Sequence, residues 1–283
     1  VTYILEDFDR NLEKVLRTGY DMMDRTGVGC RYLPGITTEV DISERVPVPT
    51  RRKTAWKSML KEYLWFLTGS DNIQDLRDMG SGVWNAWDDP VWSIKNGFES
   101  GSIGYGYGPN LIRYGADLST EDAGFNQIDY VINELKNNPN SRRILFSFFR
   151  PDKQGSSNVK LDPCHLMYQF IVEPDRRLSC VMFQRSNDMF IGNLSTNLQG
   201  AAFYTYMIAQ QVDMKPSKLI HCAAHAHIYA NHFDQVEEYL SRTPTSSPIL
   251  SLNKRESMYE YEARDFTLSE YEPLPPIVVE VAV

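Results

Sequence analysis

The segment Met59-Leu-Lys-Glu-Tyr-Leu-Trp-Phe-Leu67 most restricts the folds open to this chain. Its apolar side chains crowd most of the helix surface, so a helix here belongs inside a core. The run from Leu64 to Leu67 falls far short of the roughly 20 apolar residues needed to cross a bilayer. Trp56 to Leu67 therefore predicts a buried helix, and 283 residues are enough to build a core around it. Glu62 stands inside that helix. Either it is buried with a raised pKa, which suits a general base or proton relay, or it lies on an exposed edge beside Lys61. Periodicity leaves both readings open.

The rest of the chain must supply the surrounding layers. Hydrophobic residues make up 42% and charged residues 23%, which points to an ordered globular protein. No repeat, low-complexity tract or Pro/Gly/Ser linker divides it, so residues 1–283 read as a single domain. Helical spacing of Phe8, Leu12, Val15, Leu16 and Met22 predicts an amphipathic helix from Ile4 to Asp24. Arg25 to Cys30 reads as a polar, Gly-containing loop, and Ser70-Asp71-Asn72 as a helix cap. Residues 97–115 are loop-rich, with Gly-Tyr-Gly-Tyr-Gly at 104–108. Asn126 to Asn137 predicts a helix ended by Asn138-Pro139. Arg143 to Phe149, Leu166 to Val172, Leu178 to Gln184 and Leu219 to Ala223 predict strands. Helices are expected over Leu198 to Val212 and Ala230 to Leu240, and an extended tail from Pro248. The sum is an α+β fold with a substantial sheet.

The net charge of −8 disfavours a nucleic-acid backbone as the main partner. An anionic small molecule remains open if arginines cluster locally. Cys30, Cys164, Cys180 and Cys222 show no C-x-x-C spacing, which disfavours a zinc ribbon or thioredoxin-type site. Scattered thiols in a chain of this length fit a cytoplasmic protein, and the first residues do not read as a signal peptide.

Asp162-Pro-Cys-His165 offers a nucleophile, although an arbitrary Cys is most often a buried structural thiol. A reactive thiolate needs a nearby cation or donor. Arg185, in Gln184-Arg-Ser-Asn-Asp188, lies about one hairpin further on and can approach the sulfur if the two strands are adjacent. Arg142 and Arg143 at a strand start, and Arg25 in a Gly loop, suit phosphate oxygens, though each is ordinary as a surface charge. His225, His227 and His232 lack a companion Cys or acidic cluster, so no metal site is expected.

Taken together, the motifs resemble the thymidylate synthase family along nearly the whole chain. They run in the family's order: Asp24-Arg-Thr-Gly-Val-Gly29, Glu62-Tyr-Leu-Trp-Phe-Leu-Thr-Gly69, Asp71-Asn-Ile73 and Trp84-Asn-Ala-Trp87. Next come Gly104-Tyr-Gly-Tyr-Gly108, Asn138-Pro-Asn-Ser-Arg-Arg143, Pro163-Cys-His165 and Gln184-Arg-Ser-Asn-Asp188. The series closes with Met207-Ile-Ala-Gln-Gln211, His227-Ile-Tyr-Ala-Asn-His232 and Val281-Ala-Val283.

The resemblance implies a large mixed sheet packed with helices and a homodimer formed through those sheets. It implies a pyrimidine nucleoside monophosphate as substrate and 5,10-methylenetetrahydrofolate as donor. Cys164 would attack ring carbon 6, with Arg185 at both thiolate and phosphate and His165 beside the nucleophile. Glu62 would organise water for proton transfers, and Tyr107 would sit near the water that removes the carbon 5 proton. Arg25 and Ser186 would hold phosphate, with Arg142 and Arg143 reaching over from the other subunit. His227 and Tyr229 would bind the sugar 3′-hydroxyl. Asp188 would bind the pterin, Trp84 and Trp87 would pack around the folate, and Val283 would close over the site.

Asn197 falls where the family places its base-reading Asn. An amide accepts from uracil N3–H and donates to O4, whereas cytosine presents the reverse pattern. The expected reaction is methylation of dUMP to dTMP.

Four departures stand against the family pattern. Phe148-Phe-Arg-Pro151 replaces a Trp-Asn pair, and Asn110-Leu-Ile-Arg113 replaces Gln-Trp-Arg. The stretch between Gly192 and Asn197 is one residue longer than usual, and His225 stands where Asp is typical. The Arg-Pro pair and Arg185-Ser-Asn-Asp188 also resemble phage hydroxymethylases of the same family. In those enzymes water takes the place of hydride at the last step.

Overall fold

The computed structural model describes residues 1–24, 26–155 and 157–279, so Arg25 and Val283 lie outside the described residues. The first helix, α1 (Glu6–Thr18), buries Phe8, Leu12, Val15 and Leu16 along one face. It is shorter than its spacing suggested. Gly19 is extended, and a Cβ there would press on the Val15 carbonyl and the Arg31 side chain. Tyr20–Met22 then form β1, pairing antiparallel with β2 (Cys30–Asp41) in the register Met22↔Cys30. Cross-strand pairing thus claims residues whose local spacing was helical. β2 itself carries a weak strand signature, because Pro34-Gly35 in its middle reads as a turn.

The buried helix α2 runs Trp56–Leu67, with every residue from Glu62 to Leu67 buried. α3 (Ile73–Asp78) follows, capped by the Asn72 side chain accepting from Gln74 N. Two short helices, α4 (Pro90–Lys95) and α5 (Tyr107–Ile112), punctuate the loop-rich region. α6 (Gln127–Asn137) begins at Asn126, whose side chain accepts from Ile128 N and Asp129 N. The strands β3 (Leu145–Ser147), β4 (His165–Glu173) and β5 (Arg177–Asp188) then form an antiparallel ladder.

A π-helix over Met189–Asn197 leads into α7 (Leu198–Gln211), and β6 (Lys215–Tyr229) returns parallel to β5. Such a parallel return requires a crossover, which the helix supplies. α8 (Phe233–Ser241) and a small pair, β7 (Ile249–Leu252) with β8 (Phe266–Ser269), complete the described chain. The tail expected to be simply extended therefore pairs with itself.

The main sheet has six strands in the order β1-β2-β6-β5-β4-β3. β6 is bonded on both sides, which explains why it extends well beyond 219–223 despite its polar end. One sheet face is sealed, as Phe170 and Met182 show; on the other, Ile171 and Phe183 are exposed. α7 is buried almost throughout and packs on α2, where a Cβ at Gly200 would run into the Tyr63 ring. No helix among the described residues is long and apolar enough to cross a membrane.

Candidate active site

The C-terminal ends of β5 and β6 open, with α2 and α5, into a cleft of about 1150 Å³. Cys164 sits at its wall, one residue before β4. The β4–β5 ladder brings Arg185 beside it, with Arg185 N donating to Cys164 O at 2.9 Å. The guanidinium is aimed by two carbonyls. Nε donates to Pro163 O at 2.9 Å and Nη2 to Asp162 O at 2.8 Å. That same Nη2 lies 3.9 Å from Cys164 Sγ. The expected approach of Arg185 to the sulfur is therefore present, and a cation so placed stabilises a thiolate over a thiol.

Glu62 is buried, which decides between its two sequence readings. Trp84 Nε1 donates to Oε1 at 2.6 Å, and Oε2 has no partner among the described residues. Burial pushes the carboxyl up to about 7, against a smaller pull downward from the Trp84 bond. At neutral pH it can therefore take or give a proton. Trp84 stacks edgewise on Tyr107 and lies 5.3 Å from Trp87. Nothing in the sequence spacing discloses its hold on Glu62, because the two residues lie 22 apart.

Tyr107 accepts from Cys164 N at 2.7 Å. Burial holds the phenol well above its usual value, so it keeps its proton and can donate it onward. His165 stacks on Tyr107 at 4.3 Å, and Tyr168 OH lies 3.0 Å from its Nδ1. Burial, and then the charge of His221, push His165 down to about 3, so it is neutral and cannot act as the cation for Cys164.

The opposite wall is built of amides and imidazoles. Gln184 Nε2 donates to Asn197 Oδ1 and to Ser186 O, each at 2.9 Å. Gln184 Oε1 lies 2.9 Å from His221 Nε2, while Asn193 Nδ2 is 3.3 Å from His221 Nδ1. Asn187 Nδ2 lies 3.2 Å from the same Nε2, so amides meet His221 at both ring nitrogens. Burial holds His221 down to about 3, consistent with a neutral ring. Gln184 opens one of the family motifs without a role of its own in the sequence reading, and His221 stands in none of them. Both lie inside strands, where an alternating pattern is read for burial and not for polarity.

Ser186, Asp188, His227 and Tyr229 all line the cleft. The Asp188 carboxylate also accepts from the N–H groups of Phe190, Ile191 and Gly192, capping the π-helix. That helix holds the extra residue between Gly192 and Asn197 in its wide turns while leaving Asn197 in the cleft.

Arg142 and Arg143 are not in this cleft. They are exposed in the turn that precedes β3. Two of the departures also lie away from it. Asn110 donates to Tyr105 O and Phe148 O, tying a loop to a strand. Arg150 pairs with Asp152 and donates to Ala116 O, so it braces the framework.

Residues 6–283 match the family model for thymidylate synthase. A thymidylate synthase from Rhodopseudomonas palustris (strain BisA53) is 36% identical, over 96% of this chain and 96% of that protein. With a match of that extent, the chain belongs to the thymidylate synthase family, one-carbon transferases that draw on 5,10-methylenetetrahydrofolate.

Proposed function

We propose that this protein reductively methylates dUMP to dTMP, with Cys164 as nucleophile. The observation that carries the reading is the Cys164 sulfur beside an Arg185 guanidinium held by two carbonyls. Uracil carbon 5 is a weak nucleophile. Addition of the Cys164 thiolate at carbon 6 forms a C–S bond and pushes electrons onto O4. The Gln184 bond to Asn197 Oδ1 fixes which end of that amide can donate to that oxygen. The enolate makes carbon 5 reactive toward the one-carbon unit. Glu62 organises proton movement around the ring, and Tyr107 serves the step that removes the carbon 5 proton. Departure of the carbon 6 sulfur then regenerates Cys164.

The residues fit a folate. The cleft is large enough for a nucleotide and a second flat ligand, and Trp84 and Trp87 supply an aromatic wall for one. When bound, the folate supplies the carbon unit and, in the methylating reaction, the hydride. Asp188 lies in the same cleft, and we assign it to the pterin. Ser186 is assigned to phosphate, and His227 and Tyr229 to the sugar 3′-hydroxyl. Arg25 and Val283 take their phosphate and closing roles from family resemblance alone.

The exposed sheet face carrying Ile171 and Phe183 suits a second copy of the chain. We propose a homodimer there, with the exposed Arg142 and Arg143 serving the partner's phosphate site. The whole chain would act as one catalytic domain, and its four thiols fit a cytoplasmic setting. Phe183→Lys should shift sedimentation toward monomer and weaken nucleotide binding. An unchanged dimer would remove this face from the interface.

Methylation is favoured over hydroxymethylation because Asn110 and Arg150 belong to the framework, not to the cleft. The test is mass spectrometry of the product from dUMP and methylenetetrahydrofolate, with absorbance followed for dihydrofolate. A methyl gain with dihydrofolate is expected. A hydroxymethyl product without dihydrofolate would overturn the reductive step. Turnover of dCMP or CMP alone would overturn the role of Asn197.

A further inference from the structure

His225 stands where this family typically has Asp. It is two residues from His227 on β6, so both imidazoles face the same way. Their Nδ1 atoms are 3.2 Å apart, and His227 Nδ1 is also 3.3 Å from the His225 carbonyl oxygen. A carbonyl only accepts, so His227 Nδ1 carries the proton and His225 Nδ1 is bare. His227 Nε2 is then an acceptor.

The surroundings hold this arrangement. The Tyr32 ring from β2 stacks on His225 at 4.5 Å and 10°. On β5, Ser186 pairs in register with His225 and Asp188 with His227. The Arg185 guanidinium, next along that strand, is turned to Cys164. Pro34 pairs with His225 from the other side.

We propose that His225 is a positioning residue that makes the tautomer of His227 depend on pH, so that His227 accepts from a ligand hydroxyl only while His225 is unprotonated. This rests on the assignment of His227 to the sugar 3′-hydroxyl. Protonated His225 carries N–H at both ring nitrogens. Its Nδ1–H then points at His227 Nδ1, whose proton must move to Nε2. His227 becomes a donor where it was an acceptor, and its bond to the His225 carbonyl is lost. An Asp at this position accepts across the whole working range, so its tautomer control is constant. His225 makes the control pH-dependent. Burial first, and His227 second, hold the His225 ring below its ordinary range, so the change falls on the acid side.

The test compares KM for dUMP and for its 3′-deoxy analogue as a function of pH. Ionisation of the phosphate is common to both and cancels in the ratio. One hydrogen bond corresponds to a ratio of about five in the wild type above neutrality. The ratio should fall in acid, where the hydroxyl has to turn and accept from a His227 ring that the carbonyl no longer holds, with the change in KM and not in kcat. His225→Asp and His225→Leu should both keep the ratio at both ends, since neither can set an N–H against His227 Nδ1 and the residue 225 carbonyl still takes its proton. A constant ratio in the wild type, or the same fall in acid in His225→Leu, overturns the proposal. Nitrogen-15 NMR of the ligand-free protein reads the tautomer directly. His227 should be protonated at Nδ1 above neutrality and move to Nε2 as His225 titrates; an Nε2 proton above neutrality overturns the proposal. If the tautomers behave as expected but the ratio is one throughout, the sugar contact is wrong and the inference falls with it. Cys164→Ala, assayed alongside, shows whether the reaction itself still stands.

Discussion

On one wall of the cleft, Glu62 meets a single donor, Trp84, among stacked rings. On the other, His221, Gln184 and Asn197 join in an unbroken chain of imidazole and amide bonds. The first wall moves a pKa by withholding partners: burial costs the carboxylate its solvation, and one bond returns only part of it. The second wall fixes orientation by engaging both polar ends of the Gln184 amide and both nitrogens of the His221 ring. Proton traffic needs a group that is close to balance between two states, whereas base recognition needs one that is not. The two halves of one cleft thus use opposite degrees of hydrogen-bond satisfaction for opposite tasks.

Glu62→Gln should produce the largest effect. The side chain keeps its shape and loses its ionisation, so turnover should fall by roughly 10²–10⁴-fold while nucleotide binding persists. Steady-state kinetics with calorimetry would check both, and near-normal turnover would end the role given to Glu62. Its effect on stability is independent of activity. The folded-state value of about 7 lies above the ordinary 4.5, so the folded protein holds this proton more tightly. The associated stability is fully present below about pH 4.5 and is lost as pH rises through about 7. Wild type should therefore lose up to about 3 kcal/mol relative to Glu62→Gln across that window. Urea unfolding at several pH values would show it, and parallel curves would mean that Glu62 is not raised.

The two walls also differ in how far the sequence displays them. The α2 boundaries follow from apolar spacing, and the Asn72 and Asn126 caps follow from residue type. Cys164 and Arg185 were foreseeable as neighbours because a hairpin separates them. By contrast, the Trp84 bond to Glu62 and the Gln184–His221 contact join distant residues by tertiary packing alone. The same limit explains β1, whose local spacing is helical and whose strand form comes from pairing with β2. Local pattern specifies elements. The satisfaction of a buried polar atom depends on what the fold later brings to it.

Trp84→Phe removes the one donor on the first wall and should have an intermediate effect. That bond favours the charged carboxylate, so its loss raises the Glu62 pKa further above about 7. The limb of the pH–rate profile that reports Glu62 should move to higher pH by about one unit. The ring itself is largely retained, so the Tyr107 contact should survive. A limb that stays in place would mean that burial alone sets the value, or that the limb belongs to another group.

Gln184→Met should give the smallest change and the sharpest test of the second wall. Methionine keeps the length of the side chain and removes its amide. Asn197 Oδ1 then loses its 2.9 Å donor, and His221 Nε2 loses its 2.9 Å partner. Asn197 no longer has one preferred amide orientation, so it can present either pattern to the base. The kcat/KM preference for dUMP over dCMP should shrink by about tenfold, mostly through weaker dUMP binding. Cys164 chemistry should be little altered, because Arg185 is aimed by the carbonyls of Pro163 and Asp162 and not by Gln184. An unchanged preference would mean that Asn197 is oriented by its seat at the end of the π-helix. Orientation would then come from packing on both walls, and the contrast between them would reduce to burial alone.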